Sequence, residues 1–335
     1  MLETWYRSRL VCQDAKVTAI STPKTGAVNE TYLHTVTFPR GGRLVTQANV
    51  CRPQPLGEGP IPDVEMLDQT RTLHALATAQ AVPSPRVLWE EPDDSWLGRQ
   101  FFIMERLIGE PIFDTGTIPT DPVKLHCLFD QAITALVRIH AIDWKQPDFN
   151  HLSSRVPEDS HLRAQLDAYR RHLTASSAGK RYAQLEEAYA WLTANVPRHL
   201  HSVLNWGDAR IGNLLFEELT LTGVLDWEMA TIAPREVDVG WFIFMERFFW
   251  TEGQRSRPGG PTTEEMIKLY EDKAGVKLHD ISFFERWAAF RLGVMRLRAG
   301  RQMIARGEEP ADSRIDEVNP ASLMLARVFG LPAPS

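Results

Sequence analysis

Residues 201–228 read HSVLNWGDARIGNLLFEELTLTGVLDWE, and the polar residues inside this stretch carry the most information in the chain. Asn213 follows Asp208 by five residues. The apolar run Leu214-Leu215-Phe216, a polar turn and a second apolar run, Gly223-Val224-Leu225, then lead to Asp226-Trp227-Glu228. Two short strands joined by a turn would return Asp226 to the side of Asn213.

Taken singly, each residue has an ordinary explanation. An Asp after Gly shapes a turn, an Asn before an apolar run caps it, and an Asp closing an apolar strand begins a loop. Taken together they suit phosphoryl transfer, which needs a carboxylate to orient and deprotonate the attacking hydroxyl and hard oxygen ligands to hold Mg2+ on a nucleotide's phosphates. Asp208 fits the first task, and Asn213 and Asp226 fit the second. A carboxylate with an ordinary pKa near about 4 is a weak base, so orienting the hydroxyl is its larger contribution.

Upstream, 31–38 and 43–50 are rich in β-branched and aromatic residues, and Pro39-Arg40-Gly41-Gly42 between them signals the turn of a hairpin. In 63–80, Val64, Leu67, Leu73 and Leu76 recur near helical spacing, and Pro83 and Pro85 stop that helix. Strands follow at 86–90 and 100–107. This order predicts an N-terminal lobe, residues 1–109, of mainly antiparallel sheet with one packed helix. Residues 110–335 read as mostly helical, at 122–141, 158–175, 180–195, 262–274 and 281–306, interrupted by short strands only in 201–232. The fold class expected is therefore α+β in two lobes, which suits a chain of 335 residues.

Composition narrows the partners. A hydrophobic fraction of 43% is enough to bury a core, and a net charge of −6 offers no global attraction for nucleic acid or an anionic membrane. Cys12, Cys51 and Cys127 lack zinc-site spacing and suggest reduced thiols. With no apolar run approaching a membrane span and no secretory h-region at the start, a cytoplasmic protein is expected, its oligomeric state open.

The 201–228 stretch resembles the signature of the aminoglycoside phosphotransferase (APH) family, part of the protein-kinase-like fold, in which H-G-D-x-x-x-x-N precedes I/L-D-W/F-E. The resemblance extends to Ser84-Pro85-Arg86-Val87-Leu88, to LGRQFFIMER at 97–106, to LVRIHAIDW at 136–144 and to PTTEEMIKLY at 261–270, and so covers roughly 20–306. It implies a small-molecule O-phosphotransferase using ATP or GTP with Mg2+. Asp208 would be the catalytic base, and Asn213 and Asp226 the metal ligands. Asp238 would brace the catalytic loop, and the backbone of Glu105 and Leu107 would meet the adenine edge. Thr25-Gly26-Ala27-Val28-Asn29 would be the phosphate loop, with Asn29 and Lys24 near the nucleotide.

Two departures stand out. Trp206 replaces the family's His, a packing residue. The residue in frame for the family's phosphate-clamping cation on the third strand is the neutral Gln47, and the helix position expected to supply the partner Glu is Gln69. Losing both charges together is coherent, because a buried Glu facing no cation would be costly. The clamp then falls to other groups. Arg52 is a candidate because the family's usual spacing from Gln69 lands on it and NVCRPQP echoes the family's R-x-P-P.

For the acceptor, the aromatic run at 240–250 carries few acids, which favours an apolar or amphipathic hydroxyl compound over a polycationic aminoglycoside. Arg291, Arg296, Arg298, Arg301 and Arg306 on the helix at 281–306 read either as a solvated face or as an anion site. The second reading matters because some kinases resembling this subgroup, including those fused to acyl-CoA dehydrogenases, act on hydroxyacyl-CoA thioesters. Trp206, Gln47 and Gln69 also admit a catalytically inactive kinase-like binding protein.

Overall fold

A computed structural model describes residues 1–23, 30–55, 65–112, 119–153, 157–198, 200–252 and 259–334. Alternating apolar residues in the first third of the chain build a five-stranded antiparallel sheet from β1 (Lys16–Ser21), β2 (Tyr32–Arg40), β3 (Arg43–Pro53), β4 (Val87–Glu91) and β5 (Phe101–Glu105), in the order β1-β2-β3-β5-β4. The β2–β3 hairpin closes at Arg40 opposite Arg43, so Pro39 and Arg40 belong to the strand and not to the turn. Gly41 and Gly42 make the turn alone with φ of +58° and +74°, the doubly left-handed geometry that matches strand twist and that glycine adopts without strain.

Because side chains alternate between the faces of a strand, this sheet has two distinct coverings. Val36, Phe38, Cys51, Phe101 and Ile103 pack against Trp5 and Tyr6 of α1 (Leu2–Arg9). Val50, Phe102 and Met104 face the other way, onto α2 (Met66–Ala79) and the main core. α1 was not anticipated from sequence. Eight residues are too few for an independently stable helix, and it is held by burial of its two aromatics, by Trp5 Nε1 donating to Glu91 at 2.7 Å, and by Asn49 Nδ2 donating to the Tyr6 hydroxyl at 2.7 Å.

The chain leaves this sheet after Glu105 and enters a second, three-stranded one as β6 (Glu110–Pro111), paired with β8 (Leu214–Glu217), which pairs in turn with β9 (Thr220–Val224). Gly109 makes the crossing at φ +118°, and a Cβ there would lie 2.4 Å from Thr222 Oγ1. β7 (Ser202–Asn205) pairs with β10 (Thr231–Pro234). Around these lie α3 (Pro122–His140), α4 (His161–Ser177), α5 (Ala183–Ala194), α6 (Arg235–Arg247), α7 (Thr263–Ala274), α8 (Ile281–Ala305) and α9 (Pro320–Phe329). The α+β architecture, antiparallel sheet first and helices after, is the one expected.

α6 changes the reading of the aromatic run. Trp241, Phe242 and Phe244 are almost fully buried in the core, as α6 lies so close to α8 that a Cβ on Gly240 would come within 2.5 Å of Phe284 Cβ. Only Phe249 and Trp250 at the end of the run stay half-buried. The arginines of α8 likewise do not form one cluster. At about 100° per residue, Arg291 and Arg298 share a side and are buried, whereas Arg296 and Arg306 are exposed. Arg301 meets the Tyr182 hydroxyl and Asp316.

Candidate active site

β7 ends at Asn205, and the chain then turns sharply through Trp206-Gly207-Asp208 into a short 3-10 turn, Ile211–Asn213. Gly207 permits the turn. Its φ is +93°, and a Cβ would overlap the Met229 carbonyl oxygen at 1.9 Å. Asp238, fully buried in the first turn of α6, accepts from the amides of Trp206 at 2.6 Å and Gly207 at 2.9 Å, and from His140 Nε2 at 3.3 Å. Asn205 Oδ1 in turn accepts from the Asp238 amide at 3.1 Å.

On this braced turn the Asp208 carboxylate has both oxygens engaged. Oδ2 accepts from Asn213 Nδ2 at 2.7 Å and Arg210 Nε at 3.0 Å, and Oδ1 accepts from Trp241 Nε1 at 2.9 Å. Burial pushes this carboxyl's pKa up, but the Arg210 charge and the three donors outweigh it and hold Asp208 below the usual carboxylate range. Asp208 is thus ionised and fixed.

Asn213 gives both bonds of its amide nitrogen to Asp208, to Oδ2 and to the main-chain oxygen at 3.0 Å, which leaves its carbonyl Oδ1 as an acceptor. Its own main-chain oxygen takes the Leu225 amide at 2.9 Å, so the turn carrying Asn213 is tied to the residue before Asp226. Trp206 makes a second tie between the same segments, donating Nε1 to the Leu225 carbonyl at 2.7 Å with its ring 6.0 Å from that of Trp227. Asp226 itself is left-handed, with φ +63° and ψ +61°. Non-glycine residues held there cost energy and cluster at functional positions.

Arg52 crosses the cleft from β3 to this loop, Nη2 to Glu228 Oε2 at 2.9 Å and Nη1 to Asp226 Oδ1 at 3.4 Å. Burial works against its charge, and Glu228 and Asp226 more than restore it, raising its pKa. Gln69 lines the same small cavity as Arg52, together with Met66 and Phe102. Gln47 does not reach this place. It sits five residues back, about 16 Å along an extended strand, and that odd separation puts it on the face of β3 that carries Asn49 and Cys51.

At the edge of β5, Glu105 spends its amide on the Arg86 carbonyl at 3.0 Å and Arg106 spends its own on Ala48 at 3.2 Å. The Leu107 amide has no partner among the described residues. Asn29, with Lys24 and the glycine-bearing loop between them, lies outside the described residues.

The donors available to a cation are hard oxygens, Asn213 Oδ1 and the Asp226 carboxylate on adjoining turns, a set that suits magnesium. Trp241, Arg210 and Glu228 belong to the site and were given no role of their own from sequence, and Arg291, read from sequence as part of a solvated face or an anion site, meets the Gly207 carbonyl. Arg210 and Glu228 each lie two residues from a motif Asp, a proximity that could have marked them. Nothing local ties Trp241 or Arg291 to Asp208.

A model of the phosphotransferase enzyme family (APH) matches residues 23–265. The chain is 26% identical over 265 residues to acyl-CoA dehydrogenase family member 10 of Mus musculus, covering 76% of this chain and 24% of that protein. It spans about a quarter to a third of the length of the curated relatives it matches. Among solved structures, an aminoglycoside phosphotransferase assigned as such in Ralstonia eutropha superposes with a TM-score of 0.71 at 20% identity, over 98% of this chain and 94% of that one. A thermostable aminoglycoside phosphotransferase bound to AMP-PNP and hygromycin B superposes at 0.60 with 16% identity, over 98% and 97%. Among the described residues no helix is long and apolar enough to cross a membrane.

Proposed function

The chain belongs to the phosphotransferase enzyme family, and from that premise we propose that it is a small-molecule kinase which moves the γ-phosphoryl group of ATP or GTP onto a hydroxyl, with Asp208 as the base. The observation that carries this is the Asp208 carboxylate, ionised, mostly buried and fixed by Asn213, Arg210 and Trp241 beside the loop of Asp226. Asp208 orients the acceptor hydroxyl and takes its proton as the new O–P bond forms and the nucleoside diphosphate leaves. Asn213 and Asp226 would hold magnesium, which supplies charge neutralisation on the β- and γ-phosphates.

Arg52 is our phosphate clamp. Its 2.9 Å contact with Glu228 gives it the carboxylate partner that α2 does not supply, and its longer contact with Asp226 is the one to yield when nucleotide arrives. The Leu107 amide, without a partner among the described residues, and the carbonyl of Glu105 are assigned to the adenine edge, in keeping with the AMP-PNP held by a structural neighbour.

For the acceptor, the aromatics of α6 are buried and the half-buried Phe249 lies beside the site, with Arg210 5.8 Å above its ring. We infer an amphipathic hydroxyl compound, and the relatives named as acyl-CoA dehydrogenase family members put hydroxyacyl-CoA thioesters first in line for testing.

The test is ADP release from ATP and Mg2+ across a panel of hydroxyl acceptors. Acceptor-dependent release is expected, and Asp208→Asn should lower kcat by about two orders of magnitude or more while nucleotide affinity holds. A near wild-type kcat in that variant removes Asp208 as the base. Nucleotide binding without transfer to any acceptor would instead favour an inactive binding protein.

A further inference from the structure

Arg291 of α8 is a buried cation, 3% exposed, that meets no carboxylate among the described residues. Uncompensated burial of a guanidinium is costly, and its compensation here is of another kind. The guanidinium carbon lies 4.5 Å from the Trp241 ring centroid, 5.6 Å from Tyr169 and 6.0 Å from Trp287, a cage of three π faces. Its polar bonds go from Nη2 to the Gly207 carbonyl at 3.2 Å and from Nε to the Tyr169 hydroxyl at 3.4 Å.

Both routes out of this cage end at Asp208. The Gly207 carbonyl belongs to the peptide that enters Asp208. The Trp241 indole presents its face to the guanidinium and donates its N–H to Asp208 Oδ1 at 2.9 Å. A cation over an indole face draws electron density from the ring and makes its N–H a stronger donor, as in any polarised hydrogen-bond chain.

The two carboxylate oxygens are unequally occupied. A carboxylate oxygen has two lone-pair sites. Oδ2 already has two donors, Asn213 and Arg210, whereas Oδ1 has Trp241 alone. We propose that Arg291 and Trp241 form a positioning unit that fixes Asp208 so that the remaining lone pair of Oδ1 receives the acceptor hydroxyl. The unit rests on the reading of Asp208 as the base. It also accounts for a Trp in the core of α6 whose only described side-chain hydrogen bond goes to that carboxylate.

The experiment measures ADP release from ATP and Mg2+, AMP-PNP affinity by calorimetry, and Tm, for Trp241→Phe, Arg291→Met, Arg291→Lys and the double variant Trp241→Phe/Arg291→Met. Trp241→Phe keeps an aromatic face and removes the N–H together with part of the ring system, so its Tm is read beside its rate; it should slow turnover about tenfold or more, the usual weight of a bond to a charged group, with AMP-PNP affinity within about twofold. Arg291→Lys should turn over faster than Arg291→Met, because it retains a cation over the indole. Packing alone predicts the reverse order in Tm, with the apolar Met the better core residue. The double variant should be no slower than the slower single, as for residues acting in one chain.

A wild-type rate in Trp241→Phe, or equal rates for Met and Lys at 291, overturns the proposal. Asp208→Asn separates the two failures. If it is slow while Trp241→Phe is wild type, only the positioning unit falls. If Asp208→Asn is itself unimpaired, or the wild type releases no ADP, the reading beneath it falls as well.

Discussion

The two walls of the cleft are built on opposite terms. On the helical side, Asp208 sits on a turn pinned by buried hydrogen bonds from two helices: Asp238 holds the amides of Trp206 and Gly207, and Arg291 holds the Gly207 carbonyl. On the sheet side, Arg52 reaches over from β3 and its described partners, Asp226 and Glu228, both belong to the opposite wall. One wall is fixed by its own core, and the other is referred across the gap. A transfer enzyme benefits from that division, because the attacking geometry must be set before substrate arrives, whereas a phosphate clamp has to exchange its partners when nucleotide enters.

The sharpest way to break this contrast is Asp238→Ala. It strips the acceptor from two buried amides, each unmet group costing about 1–3 kcal/mol, so unfolding in denaturant should show a loss of about 3 kcal/mol or more, with turnover lost as well. A variant within about 1 kcal/mol of the wild type would mean the fixed wall is not fixed by Asp238.

The clamp wall should respond in nucleotide binding. Arg52→Ala is expected to raise the Kd of a non-hydrolysable ATP analogue with Mg2+ by roughly tenfold, the usual weight of a charge-assisted bond, and to lower Tm as well, because the buried Glu228 loses its cation. Gln47→Lys supplies the control. It adds a cation on the face of β3 turned away from Asp226, and its titration curve should superimpose on the wild type. Tighter binding in Gln47→Lys would return the clamp to that position.

The smallest effect concerns a flaw in the rigid wall. Glu236 stands two residues before Asp238 in the same helix and is nearly as buried, yet its Oε2 has no hydrogen-bond partner among the described residues and Oε1 has only a long 3.4 Å contact from the His279 amide. Burial, opposed by that weak bond and by Arg235 and His279, raises its pKa above the ordinary 4.5. A carboxyl bound more tightly to its proton in the folded state penalises folding as pH climbs through its unfolded value, and the penalty levels off above its folded value. Glu236→Gln should therefore raise Tm by about 2 °C or more at pH 8 and by less at pH 4.5. An equal gain at both values would deny that the ionised carboxylate is the source.

Much of this was legible in the chain itself. Period-two and period-3.6 patterns located the β2–β3 hairpin and helices α2 to α5, α7 and α8 to within a few residues, because each buries a face that its own sequence marks. The spacing of Asp208, Asn213 and Asp226 required only two short strands and a turn to bring Asn213 and Asp226 onto adjoining turns. Other features have no such local cause. α1 exists because the outer face of a sheet offers Trp5 and Tyr6 a place to bury, and α6 was hidden by an aromatic run that reads equally as core or cleft until α8 is laid against it. Which residue of β3 faces Asp226 was settled by strand parity, which puts Arg52 and Gln47 on opposite faces. Trp241 reaches Asp208 from 33 residues further along the chain and Arg291 reaches the Gly207 carbonyl from 84, and a contact of that span is made by packing, which no window of sequence contains.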